Sequence, residues 1–408
     1  MSEPRQPENP EAAATPAQVC LVEPDAARAE RLLQALDRDG SLRVALLGSA
    51  SEAPPYLLSH GCDVVVVADD LAESGCPTLL RHVQQEYPEV MRVVLSDRDG
   101  VEVFRRVPYA HQFFPCSATP DALRLALSQC LDVRSLIHRA PLRALVSGSN
   151  ALPAAPKLYG QLIDLLADPR CSMIKVVEVI ERDLGMSTRL MQLVSSAFFG
   201  MATQITSLRA CVGYLGLNAV RSLVLSAEIT QLYPSAVPGF SSELIHARAL
   251  ATSRLARRLA PNVADEGQAF VAGLLHGVGQ LVLAARAPDR FAEALELAKS
   301  KNVPLSVAEY EVFGATDAHV AAYLLAIWGQ PLEVVRAIAH QDVPERCDQR
   351  TPGMATLIYI SKRLGQDSDA PLSLDPAAPL GLNEAFLAQV GALDQLTSWR
   401  AVARRLAS

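Results

Sequence analysis

The 408-residue sequence lacks the short motifs that mark several common enzyme classes. It contains no G-x-x-x-x-G-K phosphate loop and no G-x-S-x-G nucleophile elbow, so those enzyme classes are not predicted. Its eight cysteines include no C-x-x-C pair. Scattered cysteines are typical of reduced thiols in a cytosolic protein, and we therefore expect neither a disulfide framework nor a thiol redox centre.

Long hydrophobic runs and an excess of positive charge are absent as well. No apolar run reaches the roughly 18 residues that span a bilayer. The net charge of −7 and the pI of about 5.7 provide no general attraction to nucleic acid. We therefore predict a soluble cytoplasmic protein without a membrane or nucleic-acid partner.

The first part of the chain alternates two kinds of pattern. Residues 1–16 are rich in Pro, Glu and Ala and predict a disordered tail. Residues 17–138 then combine helical patterns with short apolar runs, namely Val19–Val22, Arg43–Leu47, Val64–Val67, Met91–Leu95 and Phe113–Phe114. Buried strands with crossover helices predict an α/β domain with a doubly wound parallel sheet. A last helix is expected from Pro120 to about His138.

Polar residues follow four of these strands, at the carboxyl edge of the sheet, where the functional residues of such folds are found. They are Glu23 and Asp25, Asp69, Ser96 and Cys116. The length and strand order of residues 17–138 resemble the receiver domain of response regulators, which has a flavodoxin-like fold. The resemblance implies magnesium-binding acids after the first strand and a phosphoacceptor Asp after the third. It also implies a Ser or Thr after the fourth strand and a Lys after the fifth.

The match to a working receiver is incomplete. Only Glu23 and Ser96 keep their chemistry in register. The usual step from Asp63 lands one place before Asp69, and Cys116 stands at the lysine position. We interpret the module as a degenerate receiver with a role in protein interaction, and phosphorylation of Asp69 is the less favoured alternative.

The rest of the chain predicts a linker and an all-helical domain. Ser, Gly and Asn mark residues 139–150 as a linker. In residues 151–408 apolar positions recur at helical spacing and strand patterns are scarce. Ser172 and Ser187 are candidate N-caps. Helices are predicted at Glu243–Leu259, Phe291–Ala298, Ala318–Trp328, Leu332–Ala339 and Met354–Leu364.

Several motifs in this helical region follow one another in the order of a known family. They are Leu152–Pro156, Asp168-Pro169, Val194–Gly200, Ile205–Leu208, Leu215-Gly216 and Val271–Gly279, the last reading V-A-G-L-L-H-G-V-G. This order resembles the HDOD output domain, although Ala155, Ser195 and Phe199 depart from its usual pattern. HDOD domains are non-catalytic relatives of the HD metal-dependent phosphohydrolases and serve in bacterial signalling. The glycines at 273, 277 and 279 are expected to be close helix-packing points.

The HD relatives hold divalent ions with a His-Asp doublet, an upstream His and a downstream Asp. In this sequence His276 keeps the His of the doublet, Gly277 replaces its Asp, and Lys362 stands at the downstream Asp. The remaining histidines that fit the superfamily pattern are His246, His319 and His340. One carboxylate ligand is therefore missing, and the other is replaced by a positively charged side chain. We therefore expect packed remnant histidines, no catalytic residue, no bound metal and no cofactor.

Two alternatives stay open. The first is a residual metal-dependent phosphohydrolase, in which an acid such as Asp342 or Glu311 compensates for the missing carboxylates and the ligands are His246, His276, His319 and His340. The second is a nucleotide or anion sensor in which Lys362 supplies the positive charge of the lost metal.

The favoured prediction is a non-enzymatic regulator that binds signalling proteins. The resemblance implies sensor kinases, response regulators or cyclic-dinucleotide enzymes such as diguanylate cyclases as partners. No feature of the sequence determines the oligomeric state.

Overall fold

The computed structural model describes residues 16–36, 40–69, 75–97, 110–137, 156–166, 172–183, 186–187, 190, 207–232, 237–328, 330–347, 350–365 and 382–407. The predicted linker and almost all of the predicted tail lie outside these residues. Packing divides the chain into two units, the first with residues 1–100 and 112–132 and the second with residues 101–111 and 133–408. The domain boundaries expected near residues 138 and 151 stay predictions.

The first unit contains a parallel five-stranded sheet with the order β2-β1-β3-β4-β5. Its strands are β1 (Ala17–Val22), β2 (Leu42–Leu47), β3 (Val64–Ala68), β4 (Met91–Leu95) and β5 (Gln112–Phe114). Every residue of β3 and β4 is buried, which explains why neither strand alternates between apolar and polar residues. The one charged residue in β4, Arg92, donates from Nη1 to the carbonyls of Pro88 and Val90. This strand order is that of flavodoxin-like folds, and it confirms the predicted receiver-like α/β class.

Helices and backbone hydrogen bonds complete this unit. The described helices are α1 (Ala26–Leu36), α2 (Ala53–His60), α3 (Gly75–Glu86) and α4 (Pro120–Ile137). Glu23, Asp69 and Ser96 each come directly after a strand. Their N–H groups donate to the carbonyl of the last residue of the neighbouring strand. The three residues therefore lie at one edge of the sheet, where the carboxyl ends of parallel strands meet.

The second unit is helical, as predicted. Its described helices begin with α5 (Lys157–Leu166), α6 (Met173–Glu181), α7 (Leu208–Leu232, interrupted at Gly216), α8 (Ser242–Leu259), α9 (Val263–Leu275) and α10 (Val278–Arg286). They continue with α11 (Pro288–Lys301), α12 (Leu305–Phe313), α13 (Asp317–Ile327), α14 (Leu332–Ala339), α15 (Met354–Leu364), α16 (Glu384–Gln389) and α17 (Leu396–Ala407). The five helices predicted after residue 240 correspond to α8, α11, α13, α14 and α15.

One predicted helix start is wrong. Ser172 caps α6 as expected. Ser187, however, does not cap the turn that follows α6. Asp183 does so, because its Oδ1 accepts the Met186 N–H at 2.9 Å, whereas the Ser187 hydroxyl donates to the Ile180 carbonyl. Aspartate is as good an N-cap as serine, and Asp183 lies three residues before Met186, which is the spacing at which an N-cap side chain accepts a backbone N–H.

Helices α9 and α10 form the interior of this unit. The segment Asp265–Arg286 has a mean hydropathy of 1.5 and is long and apolar enough to cross a membrane, yet 83% of its 18-residue window is buried inside the protein. A Cβ at Gly273 would lie 2.5 Å from the Ser253 Cα of α8, and a Cβ at Gly279 would overlap the Asp317 carbonyl oxygen of α13. The apolar composition is therefore that of a core element pressed between neighbouring helices.

Candidate functional site

The acid after β1 is bound to a basic side chain of the same unit. Glu23, whose side chain has no exposed surface, accepts from Nε and Nη2 of Arg28 at 2.6 and 2.7 Å. The Asp25 N–H also donates to Glu23, at 2.9 Å. Asp25 itself is exposed and caps α1 through the Arg28 N–H, a bond that lowers the pKa of its carboxyl. The Arg28 guanidinium thus forms two hydrogen bonds to the carboxylate at the position where a receiver binds magnesium.

Asp69 and Ser96 lie in direct contact. The Ser96 hydroxyl donates to Asp69 Oδ2 at 3.0 Å, and Asp69 is only 3% exposed. Although Asp69 is one place late in sequence, it directly follows β3 and does reach the serine after β4. The Cys116 N–H donates to Asp97 Oδ1 at 2.8 Å, beside Ser96 in sequence. No lysine stands at the end of β5 to bind a phosphoryl group.

In the second unit His276 ends α9 with a neutral ring. Its Nδ1 lies 2.6 Å from the Gly273 carbonyl oxygen, which fixes Nδ1 as the protonated nitrogen. Burial, reinforced by the nearby Lys362 cation, lowers the pKa of His276 to about 4. Gln341 donates to the His276 carbonyl at 3.1 Å.

The position of the missing doublet Asp faces another side chain. A Cβ on Gly277 would lie 2.7 Å from the γ2 methyl of Ile245 on α8. The space next to His276 is therefore lined by a hydrocarbon group where an HD enzyme has a carboxylate, and a side chain could enter only if Ile245 moved.

Lys362 forms an ion pair with Asp342. The Nζ–Oδ1 distance is 2.7 Å, and the two side chains are 13% and 15% exposed. Burial by itself would raise the pKa of Asp342, but the attraction and hydrogen bond of Lys362 lower it overall. The carboxylate thus stays ionised and the ammonium is its counter-ion.

Two more carboxyls complete this group. The Asp317 N–H donates to Glu309 Oε2 at 2.8 Å, and the two side chains lie within hydrogen-bonding reach of each other. Burial raises the pKa of both, and the Lys362 charge offsets this in part at Asp317. We call His276, Glu309, Asp317, Asp342 and Lys362 the carboxylate–lysine cluster.

The other predicted histidines have separate roles. His319 belongs to the capping box of α13, where its Nδ1 accepts the Thr316 N–H at 3.3 Å. His340 follows α14, and burial together with Arg336 and Arg346 lowers its pKa to about 4. His246 lies half-buried on α8.

The residues present do not fit the divalent ion of HD hydrolases. Within the described ranges no group of three or more His, Cys, Asp or Glu residues is arranged to hold a metal. Gly277 offers no donor atom and Lys362 is a cation. Of the two acids considered as compensation, Asp342 is bound to Lys362, while Glu311 is on the surface and pairs with Lys301 at 2.7 Å.

The fold and this site define a class: a receiver-like α/β unit and a helical unit in which Lys362 pairs with Asp342 near the buried His276. Residues 152–344 match the HDOD domain family, so this part of the chain is an HDOD domain.

Two solved structures are similar to part of this chain. An HDOD domain protein of unknown function from Geobacter sulfurreducens is 20% identical, with a TM-score of 0.52 over 67% of this chain and 99% of that one. A Shewanella amazonensis SB2B protein with the provisional name of a phosphohydrolase is 22% identical, with a TM-score of 0.51 over 66% and 95%. At these identities the likeness shows the fold alone.

An uncharacterized Treponema pallidum (strain Nichols) protein is 23% identical over 233 residues, which is 55% of this chain and 45% of that protein. The chain thus spans less than half of that relative's length.

Sequence reasoning missed three residues of these two groups. Arg28 reads as an ordinary basic residue in the first turn of α1. Glu309 and Asp317 belong to no motif, and only tertiary packing brings them beside Lys362. The sequence between His276 and Lys362 contains several acids, and this was the one signal for Glu309 and Asp317. A count of acids, however, does not show which of them are buried.

Proposed function

We propose that this protein is a non-enzymatic, cytoplasmic signal-transduction regulator that acts by binding other signalling proteins through its receiver-like and HDOD parts. The observation that carries the proposal is the Lys362–Asp342 ion pair at the place of the metal. Sensor kinases, response regulators and diguanylate cyclases are the classes of partner that we expect.

An ammonium group cannot replace a metal in catalysis. A bound divalent ion lowers the pKa of its water and polarises a phosphoryl oxygen, whereas an ammonium has no open coordination position. A metal about 4 Å from Lys362 would be repelled by roughly 4 kcal/mol per unit of its charge at a surface-like dielectric. In the first unit, the carboxylate of Glu23 is likewise paired with a cationic side chain, that of Arg28, which also disfavours a magnesium ion there.

The two alternatives are not favoured by the geometry. A phosphohydrolase needs ligands that Gly277 and Lys362 do not supply. An anion sensor needs an available positive charge, and the charge of Lys362 is directed to Asp342 at 2.7 Å.

The first experiment measures metal and activity together. The full chain is exposed to Mn²⁺, Fe²⁺ or Zn²⁺, passed through gel filtration and assayed for bound metal and for hydrolysis of phosphomonoesters and phosphodiesters. We expect no stoichiometric metal and no hydrolysis. Near-stoichiometric metal that disappears in His276→Ala, together with turnover, would contradict the proposal and support the phosphohydrolase.

The second experiment tests binding. The tagged full chain is isolated from its native host after mild cross-linking, and its partners are compared with those of the tag alone. Enrichment of two-component or cyclic-dinucleotide proteins is expected, and direct binding of the purified partner must then reproduce it. A partner set without such proteins would count against the proposal.

A further inference from the structure

Several buried oxygens around the carboxylate–lysine cluster have no donor. Among the described residues, no hydrogen-bond partner reaches Glu309 Oε1, Asp317 Oδ2, Gln280 Oε1 or Gln341 Oε1. All four belong to the cluster or to its direct neighbours, because Gln280 donates to Asp317 and Gln341 donates to the His276 carbonyl. Buried acceptors without donors are costly, so they indicate that this place is built around positive charge or protons.

Lys362 is the cation that bonds directly to this group, while the charges of Arg363 and Arg248 also act on Asp342 and His276 respectively. Lys362 bonds directly to Asp342, and its charge also acts on His276 and Asp317. These groups come from three elements other than α15, which carries Lys362: the end of α9, the start of α13 and the residues after α14. An ammonium carries three N–H donors in a compact head, which suits a surplus of acceptors from several directions.

The geometry points to an ammonium site: the carboxylate–lysine cluster holds the Lys362 head as its resident cation, and it accepts a small alkylammonium ion once that side chain is removed. This assignment goes beyond the proposed function and holds whether or not a protein partner binds. Both Lys362 and Asp342 keep a small exposed fraction, 13% and 15%, so a small solute can reach the site.

A monovalent cation suits the charge of this cluster better than a metal does. Glu309 is engaged by the protein itself, because its Oε2 accepts the Asp317 N–H at 2.8 Å. Asp342 is left as the carboxylate in direct contact with the cation. In addition, the described part of the chain offers no arrangement of three metal ligands.

The test is chemical rescue of Lys362→Ala in the full chain. The substitution deletes the atoms of n-propylammonium, which is therefore the probe. Both tryptophans of the chain, Trp328 and Trp399, lie in the second unit, so their fluorescence reports its melting. We expect a lower Tm in the variant, and a rise of a few degrees with n-propylammonium relative to NaCl at equal ionic strength.

Controls separate a cation site from general solvent effects. 1-Propanol lacks the charge and tetraethylammonium is too large, so neither should restore the Tm. Wild type and Lys301→Ala, which removes an exposed pair with Glu311, should not respond to n-propylammonium. An equal response in all variants, or none in Lys362→Ala, would overturn the assignment, as would stoichiometric Mn²⁺ binding by Lys362→Ala.

A second pair of variants covers the case in which Lys362→Ala does not fold. Lys362→Met keeps the apolar stem and removes the charge, so Asp342 is left without its counter-ion. Lys362→Met/Asp342→Asn should then melt at a higher temperature than Lys362→Met alone. If the double variant is no more stable than the single one, the positive charge is not what the cluster needs, and the assignment is wrong.

Discussion

The two units neutralise an acid in different ways. In the first, Arg28 lies five residues after Glu23 and forms a bidentate ion pair with it, so one turn of helix after β1 is sufficient to build the pair. In the second, Lys362 meets Asp342 from 20 residues away, and Glu309, Asp317 and His276 converge on the same place from other helices.

The difference concerns how much structure depends on each pair. The Glu23–Arg28 pair is local and saturates the carboxylate with two charged hydrogen bonds. The carboxylate–lysine cluster draws its five residues from five parts of the chain, namely the end of α9, α12, the start of α13, the residues after α14, and α15. Changes in the first unit should therefore have confined effects, whereas changes in the second should affect the packing of the whole helical core.

The largest effect is expected from Gly279→Ala, which disturbs the contact between α10 and α13. The new methyl group would overlap the Asp317 backbone, which cannot move without displacing the cluster. We expect a loss of about 3 kcal/mol or more, or failure to fold. Urea titration followed by tryptophan fluorescence measures it.

The matched control is Gly267→Ala on α9, where nothing lies within 4 Å of the added carbon. That change should be neutral or stabilising by roughly 0.5–1 kcal/mol, because alanine favours a helix. Equal urea midpoints for the two variants would show that α10 and α13 are not in close contact.

Arg28→Met should cost less, because only one pair is lost. Glu23 would keep the Asp25 N–H but lose both guanidinium bonds while staying buried. A loss of about 2–3 kcal/mol is expected, below that of a fully buried pair because Arg28 is 14% exposed. Hydrogen exchange of β1 and β3 peptides measures it, and Arg43→Met on the exposed side of β2 is the control. Unchanged protection in Arg28→Met would contradict the buried pair.

The second unit should also lose stability as the pH falls. His276 and His340 have pKa values of about 4 in the folded state, below the ordinary value of about 6.5. Between these values the unfolded chain binds protons at the imidazoles and the folded chain does not. The free energy of unfolding therefore decreases as the pH is lowered through this window. Glu309 and Asp317 act in the opposite direction, because their raised pKa values favour the folded state at low pH.

His340→Gln isolates one contribution, because burial and the charges of Arg336 and Arg346 lower the pKa of His340 and no acid of the carboxylate–lysine cluster is among the causes. The decrease in unfolding free energy between pH 7 and pH 5 should become smaller by about 1–2 kcal/mol. The exposed His60→Gln should leave it unchanged. A variant with the same pH dependence as wild type would indicate that His340 is solvated and titrates normally.

The smallest effect is expected from treating the protein with a phosphoryl donor that could phosphorylate Asp69. Asp69 is 3% exposed and bound to Ser96, Glu23 is bound to Arg28, and a cysteine stands at the lysine position. Acetyl phosphate with Mg²⁺ should therefore add no phosphoryl group to the chain by intact-mass analysis, while a working receiver in the same reaction is modified. A stable modification at Asp69 would show that the first unit is not degenerate.

The sequence predicted the larger features because they depend on local patterns. Valine-rich runs such as Val64–Val67 identified central strands, the motif order from Leu152–Pro156 to Leu215-Gly216 indicated the HDOD domain, and V-A-G-L-L-H-G-V-G located His276. The wrong assignment of Ser187 as a cap shows the limit of such patterns, because Asp183 is an equally good cap and only the backbone geometry selects it.

By itself, therefore, the sequence determined the order of the units, the parallel sheet, the helical domain, and the presence of Gly277 and Lys362 where the HD pattern has acids. Only the tertiary structure decided what surrounds these positions and the acids of the first unit. Arg28 binds Glu23, Ile245 lies against Gly277, and Lys362 binds Asp342 beside two more buried carboxyls. The physical reason is that periodicity and motifs act over neighbouring residues. The charge state of a buried carboxyl depends on which groups far along the chain are packed within a few ångströms of it.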